Sequence, residues 1–144
     1  MSLGTDRHLR ELYAPAAGDA WKQTDLTTSA GASSALPGTV LSSWIDQKYQ
    51  HLVYPSANQH IHELYFPLAG GHWKQNDLTS TASGPAATLG SALTSWVDHN
   101  YQHVVYITSD GHAHELYYPL AGGRWKQNDL TASAGAPPAL SGSG

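Results

Sequence analysis

The chain contains no cysteine, which excludes disulfides, thiolate zinc sites and cysteine nucleophiles and leaves the redox compartment open. Charged residues make up only 12% of the sequence, and the formal net charge of −4 includes no basic cluster, which argues against a nucleic-acid partner. No apolar run is long enough for a membrane-spanning helix, and the first residues lack the apolar core of a signal peptide. We therefore expect a soluble chain without membrane insertion, and its localisation stays open.

Instead, the chain is rich in aromatic residues and histidine, and it repeats itself. It has five Trp, eight Tyr and nine His among 144 residues. A shift of 52 positions aligns residues 43–79 with 95–131, and 25 of the 37 aligned pairs are identical. A weaker copy at 8–27 matches the second half of the same unit at the same offset. Repeats of 40 to 50 residues are typical of propeller blades or helical solenoids.

The segments inside one unit favour strands. Four short stretches rich in Val, Trp, Tyr and Thr lie at 92–98, 102–107, 112–118 and 124–130. Asp-Gly and Gly-Gly turns and Pro119 separate them, and 81–91 is a Pro- and Gly-containing connection. We therefore predict an all-β fold, a β-propeller built from four-stranded blades of about 52 residues.

The number of blades predicts an assembly. The predicted domain, 1–144, holds a half blade at 8–27 and whole blades at 41–79 and 92–131, about two and a half blades in all. Such a partial ring would expose apolar faces and sheet edges. We expect a homo-oligomer that completes the ring, a dimer or a trimer. The alternative is that the chain is a fragment of a longer propeller.

A histidine and a glutamate twelve residues apart form the first candidate site. The pairs are His51 with Glu63 and His103 with Glu115, and strands two and three of a blade would bring each pair together. A donor beside a carboxylate suits sugar hydroxyls, but the same pair also fits a purely structural hydrogen bond. Glu11 of the half blade has no histidine twelve residues before it.

The five tryptophans form the second constellation. Trp44 and Trp96 fall on first strands, where we expect core packing. Trp21, Trp73 and Trp125 fall on fourth strands, where packing and sugar stacking are both open. An aromatic face binds the apolar CH face of a sugar ring.

The His-x-His pairs form the third constellation. They are His60 with His62 and His112 with His114, and alternate residues of a strand share a face, so each pair could chelate zinc with His51 or His103 as a third ligand. The first copy has Arg10 in place of the second histidine, and arginine cannot ligate a metal. We therefore predict no metal and no cofactor.

The repetition argues against catalysis. The sequence contains no Gly-x-Ser-x-Gly elbow, no phosphate-binding Gly loop with Lys, no His-Glu-x-x-His and no Asp-rich calcium loop. An enzyme needs one asymmetric constellation, whereas binding modules repeat weak sites to gain avidity. We predict that the protein is not an enzyme.

The order Trp, "QHVVY", turn, "HELYY" and "GGRW" resembles the blades of the fungal and bacterial fucose-binding β-propeller lectins, and more loosely the related bacterial propeller lectins with Trp-rich repeats. The resemblance covers nearly the whole chain. It implies that each blade supplies an Arg and a Glu to a sugar site, that an aromatic residue of the next blade closes the site, and that short members build their ring from several chains.

Residue by residue, the resemblance implies a sugar-binding role for Glu63, Glu115 and Glu11, with Trp73, Trp125 or Trp21 as the stacking aromatic. His51 and His103 stand where the family has arginine, whose fork of donors histidine does not reproduce, so the particular sugar is open.

The sequence as a whole favours a multivalent lectin that binds glycans, fucose or a related sugar, at blade interfaces. The alternatives are a structural or engineered repeat propeller scaffold without a glycan ligand and, more remotely, a metal-dependent enzyme built on the His pairs.

Overall fold

The computed structural model describes residues 2–3, 6–14 and 20–139, which form three antiparallel sheets. Part of the first repeat, 15–19, lies outside the described residues. The strands are β1 (Ser2–Leu3), β2 (Leu9–Tyr13) and β3 (Lys22–Asp25) in the first sheet, β4 (Ser42–Ile45), β5 (Tyr49–Pro55), β6 (Ile61–Pro67) and β7 (Lys74–Asp77) in the second sheet, and β8 (Leu93–Val97), β9 (Tyr101–Ile107), β10 (Ala113–Pro119) and β11 (Lys126–Asp129) in the third sheet. Within each sheet, strands that are consecutive in sequence pair with each other, and none of these sheets closes on itself. The described chain is therefore mostly β.

The half repeat has one strand more than the two predicted for it. β1 pairs with β2, with Ser2 opposite Arg10 and Leu3 opposite Leu9. The first sheet thus has three strands where each complete repeat has four.

A short helix that was not predicted from the sequence follows the last strand of each sheet. These helices are α1 (Leu26–Ala30), α2 (Leu78–Ala82) and α3 (Leu130–Ala134). An aspartate caps each N-terminus; Asp129, for example, accepts the Ala132 N–H at 2.9 Å, and Gly135 ends α3 in the left-handed conformation. The predicted strand 124–130 is therefore too long, because the cap at Asp129 turns the chain into a helix.

The turn between β9 and β10 requires a glycine at position 111. Gly111 has a φ of +81°, and a Cβ at this position would lie 2.7 Å from the carbonyl oxygen of Ala139. Both the left-handed backbone and the close approach of a second chain segment require a residue without a side chain here.

The core lies between the sheets, and the second sheet is buried on both faces. Consecutive residues of a strand point to opposite faces, so Leu52 and Tyr54 pack toward the first sheet while Val53 packs toward the third. Leu78 of α2 joins the cluster at the boundary with the third sheet, where β4 also runs beside β8. Within the described residues, none of the helices is long and apolar enough to span a membrane.

Candidate functional site: a cleft between the second and third sheets

The structure brings the His–Glu pairs together. In the register of β5 and β6, Val53 lies opposite Glu63, so His51 is the diagonal neighbour of Glu63 on one face of the sheet. His51 Nδ1 lies 2.6 Å from Glu63 Oε2, and both residues are buried. The third sheet repeats the contact between His103 and Glu115, also at 2.6 Å.

A second carboxylate holds each of these histidines. His51 Nε2 lies 2.7 Å from Asp46 Oδ2, and His103 Nε2 lies 2.8 Å from Asp98 Oδ2. Both ring nitrogens therefore already bond carboxylates, and neither imidazole has a nitrogen free for a ligand hydroxyl. This differs from the donor role expected of His51. The sequence signal for the missed carboxylate is a Trp-x-Asp triplet that occurs in both complete repeats, at 44–46 and 96–98.

The two carboxylates favour a protonated His51. Burial lowers the pKa of His51, but the hydrogen bonds and negative charges of Glu63 and Asp46 outweigh burial and raise the pKa above its ordinary value. The imidazole also stacks on Trp44, with the ring centroids 4.6 Å apart and the planes 9° apart. Two carboxylates and a stacked indole ring thus hold the imidazole inside the sheet and favour its protonated form.

A cleft of about 370 Å³ opens between the second and third sheets next to this clamped pair. Polar and aromatic side chains from both sheets line it. They are Tyr49, His51, Glu63, Tyr65, Asn76 and Thr81 from the second repeat and Gln102, Tyr118, Arg124 and Trp125 from the third, together with Gly123. The cleft therefore depends on the packing of one sheet against the next.

Two polar residues of the cleft, Arg124 and Gln102, were not predicted as site residues from the sequence. Arg124 precedes β11 and is exposed, so its guanidinium supplies the fork of donors that His51 does not. Gln102 is buried, its Nε2 lies 3.5 Å from Asp46 Oδ2, and its Oε1 has no hydrogen-bond partner within the described residues.

The aromatic side chains divide between packing and surface. Trp125 lines the cleft but is mostly buried, packing 5.5 Å from Tyr118. Trp73 sits at the boundary between the first and second sheets against Phe66, 5.3 Å away. Trp21 is largely exposed. All three tryptophans precede the last strand of their sheets instead of lying within it.

The predicted site residue Glu11 lies at a different sheet boundary from the cleft. Glu11 Oε2 lies 3.5 Å from Gln50 Nε2 across the boundary between the first and second sheets. Glu11 has no histidine contact among the described residues. The structure thus separates Glu11 and Trp21 from the cleft that contains Glu63.

In the structure the His-x-His pairs contact aspartates, and not the expected His51 or His103. His60 Nδ1 bonds Asp77 at 2.7 Å, and His112 Nδ1 bonds Asp129 at 2.7 Å. The expectation that His51 or His103 supplies a third metal ligand is wrong, because carboxylates occupy both ring nitrogens of each.

None of the protein-family models matches the chain, and no curated protein matches it either. The likeness to propeller lectins remains a prediction from the repeated motifs. Support for a function has to come from the cleft.

Proposed function

We propose that the chain is a carbohydrate-binding protein whose ligand occupies the cleft between the second and third sheets. The observation that carries this proposal is a cleft that brings the exposed guanidinium of Arg124 and several tyrosine rings beside the carboxylate of Glu63. A sugar ring presents hydroxyls to such donors and acceptors and an apolar CH face to aromatic rings. Fucose or a related sugar is the ligand class that the motif resemblance suggests.

Binding without covalent chemistry fits the arrangement. The carboxylate of Glu63 is paired with His51, so it acts as a fixed acceptor and not as a free base. The third sheet repeats the pair at His103 and Glu115. Equivalent weak sites on one rigid scaffold gain avidity against clustered glycans, which is the use expected of a multivalent lectin.

We also propose that the sheets are blades of a β-propeller completed by further copies of the chain. Trp44 and Trp125, at the boundary of the second and third sheets, are 8% and 5% exposed, whereas their counterparts Trp96 and Trp21, on the outer sheets, are 42% and 73% exposed. If the first sheet of a second copy packed on the third sheet of this chain, the contact would cover Trp21 of the second copy and Trp96 of this chain. Light scattering should then give a multiple of 15.4 kDa, and a folded monomer would contradict the assembly.

The buried His51–Glu63 pair also favours a second candidate, a structural propeller without a glycan ligand. Both ring nitrogens of His51 and one carboxylate oxygen of Glu63 bond to protein groups alone, as in a purely structural cross-strand bond. The two candidates differ at Arg124, which lines the cleft, is exposed and forms no hydrogen bond or ion pair with the residues that the structure describes.

A glycan array separates the two candidates. Wild-type protein, Arg124→Ala and Lys126→Ala should be compared, because both variants remove one exposed positive charge but only Arg124 lines the cleft. We expect wild type and Lys126→Ala to bind the same glycans and Arg124→Ala to lose about tenfold or more in affinity, the value of one charged hydrogen bond. If no glycan is bound, or if the two variants behave alike, the lectin proposal fails.

A further inference from the structure

A cluster of histidine and aspartate lies at the start of β10, on residues that the proposed sugar site does not use. One ligand atom from each of Asp110, His112 and His114 lies within 4.8 Å of the others. His114 and Glu115 are consecutive in β10, so they point to opposite faces of the third sheet. The cluster is therefore separate from the His103–Glu115 pair.

His114 provides the observation that marks this cluster as more than a charged turn. The residue is 8% exposed, and its Nδ1 has no hydrogen-bond partner within the described residues. Its Nε2 faces Asp129 Oδ2 at 3.5 Å, beyond hydrogen-bond distance. A buried imidazole nitrogen without a partner is costly unless something else satisfies it, and His62 of the second repeat shares this feature.

The distances suit a metal ion. Two ligands about 2.1 Å from a tetrahedral zinc ion lie about 3.4 Å apart, and the ligand atoms of Asp110, His112 and His114, within 4.8 Å of one another, need only small side-chain rotations to reach this separation. Asp110 uses Oδ1 to accept the His112 N–H, while its Oδ2 forms no hydrogen bond with the described residues. This second oxygen is free to turn toward an ion.

We propose that Asp110, His112 and His114 form a binding site for a divalent transition-metal ion, with zinc as the expected occupant. Imidazole and carboxylate are borderline ligands that suit zinc, and three protein ligands leave a position for water. Asp129 is the positioning residue, because it bonds His112 Nδ1 at 2.7 Å while its other oxygen caps α3, which leaves Nε2 as the nitrogen of His112 that would bind the ion.

The repeats contain their own controls for this site. The second sheet has the same arrangement in His60, His62 and Asp77, but Asn58 stands where the third repeat has Asp110. The neutral amide of Asn58 is a poorer ligand than a carboxylate, so we expect no tight site there.

The first sheet lacks the second imidazole. Arg10 stands in the place of His114, and it forms two hydrogen bonds with Asp6, at 2.9 and 2.7 Å. The Asp6 carboxylate is therefore already bonded to the guanidinium and is not available to a metal ion, although Asp6, His8 and Asp25 lie close together. Among the three repeats, the third alone combines two histidines with a carboxylate at position 110 or its equivalents.

The test is calorimetric titration of the tag-free, metal-free chain with zinc chloride. We expect one tight site per chain, at least about tenfold weaker binding in Asp110→Asn, and a second tight site in Asn58→Asp. Asp110→Asn reproduces the residue that the second repeat already carries, so it should fold, and circular dichroism checks this.

The same titration can overturn the proposal. Wild-type binding weaker than about 1 mM would reject the site. Equal zinc affinity in wild type and Asp110→Asn would also reject it, as would a stoichiometry that Asn58→Asp leaves unchanged. Because Arg124 is untouched in these variants, the outcome does not depend on the glycan array.

Discussion

Replacing Glu63 by glutamine should destabilise the protein by an amount that depends on His51. Both residues are buried, and their 2.6 Å contact joins a carboxylate to an imidazole whose other nitrogen binds Asp46. A hydrogen bond to a charged group contributes about 1.5–3 kcal/mol, and glutamine retains an acceptor, so we expect Glu63→Gln to lower the free energy of unfolding by about 2 kcal/mol. A urea slope of about 2 kcal/mol per M converts this loss into a midpoint shift of about 1 M.

A double-mutant cycle isolates the pair. Urea unfolding of wild type, Glu63→Gln, His51→Gln and the double variant at pH 6 should give a coupling energy of at least about 1 kcal/mol. Additive effects of the two substitutions would refute the interaction that the geometry implies.

The same pair predicts a pH dependence. The pKa of His51 is raised in the folded protein, so its contribution to stability is complete below the unfolded value of about 6.5 and is lost as the pH rises through the folded value. The coupling energy should therefore fall between pH 6 and pH 9. A coupling energy that stays constant over this range would show that the interaction does not depend on a protonated imidazole.

Three further substitutions test the fold. Asp77→Ala removes the cap of α2 and should cost about 1 kcal/mol or more in chemical unfolding, whereas Asp77→Asn retains the cap; equal losses would contradict the capping role. Tyr54→Phe deletes the 2.6 Å hydrogen bond to the Ser33 carbonyl and should cost about 1 kcal/mol, so an unchanged melting curve would show that the bond is dispensable. Gly111→Ala should destabilise more than Gly90→Ala, because both have positive φ but only Gly111 faces a backbone oxygen; calorimetric melting temperatures in the opposite order would refute this.

The sequence predicted the central hairpins closely, because they depend on local signals. Short segments rich in Val and Tyr on either side of the Asp-Gly turn place strands at 102–107 and 112–118, and β9 and β10 lie within one residue of these bounds. The end of the last strand was misplaced because an Asp-Leu-Thr cap begins a helix without any long apolar period.

The candidate site was only half predictable, because it is built from two sheets. The contact between His51 and Glu63 can be predicted from their spacing in a hairpin. Asp46 is also close to His51 in sequence, but the role of its Trp-x-Asp triplet becomes clear only from the hydrogen bond between Asp46 and the imidazole. Arg124 and Gln102 reach the cleft through packing of the third sheet against the second, which no local pattern encodes.

The most direct test of the proposed sugar site is nuclear magnetic resonance mapping of a glycan selected on the array. We predict that adding the glycan shifts the signals of Gly123, Arg124 and the Asn76 side-chain amide, which line the cleft. Gly38 and Gly90, which line a separate small pocket, should not move. Shifts confined to Gly38 and Gly90, or no shifts at saturating glycan, would contradict the account.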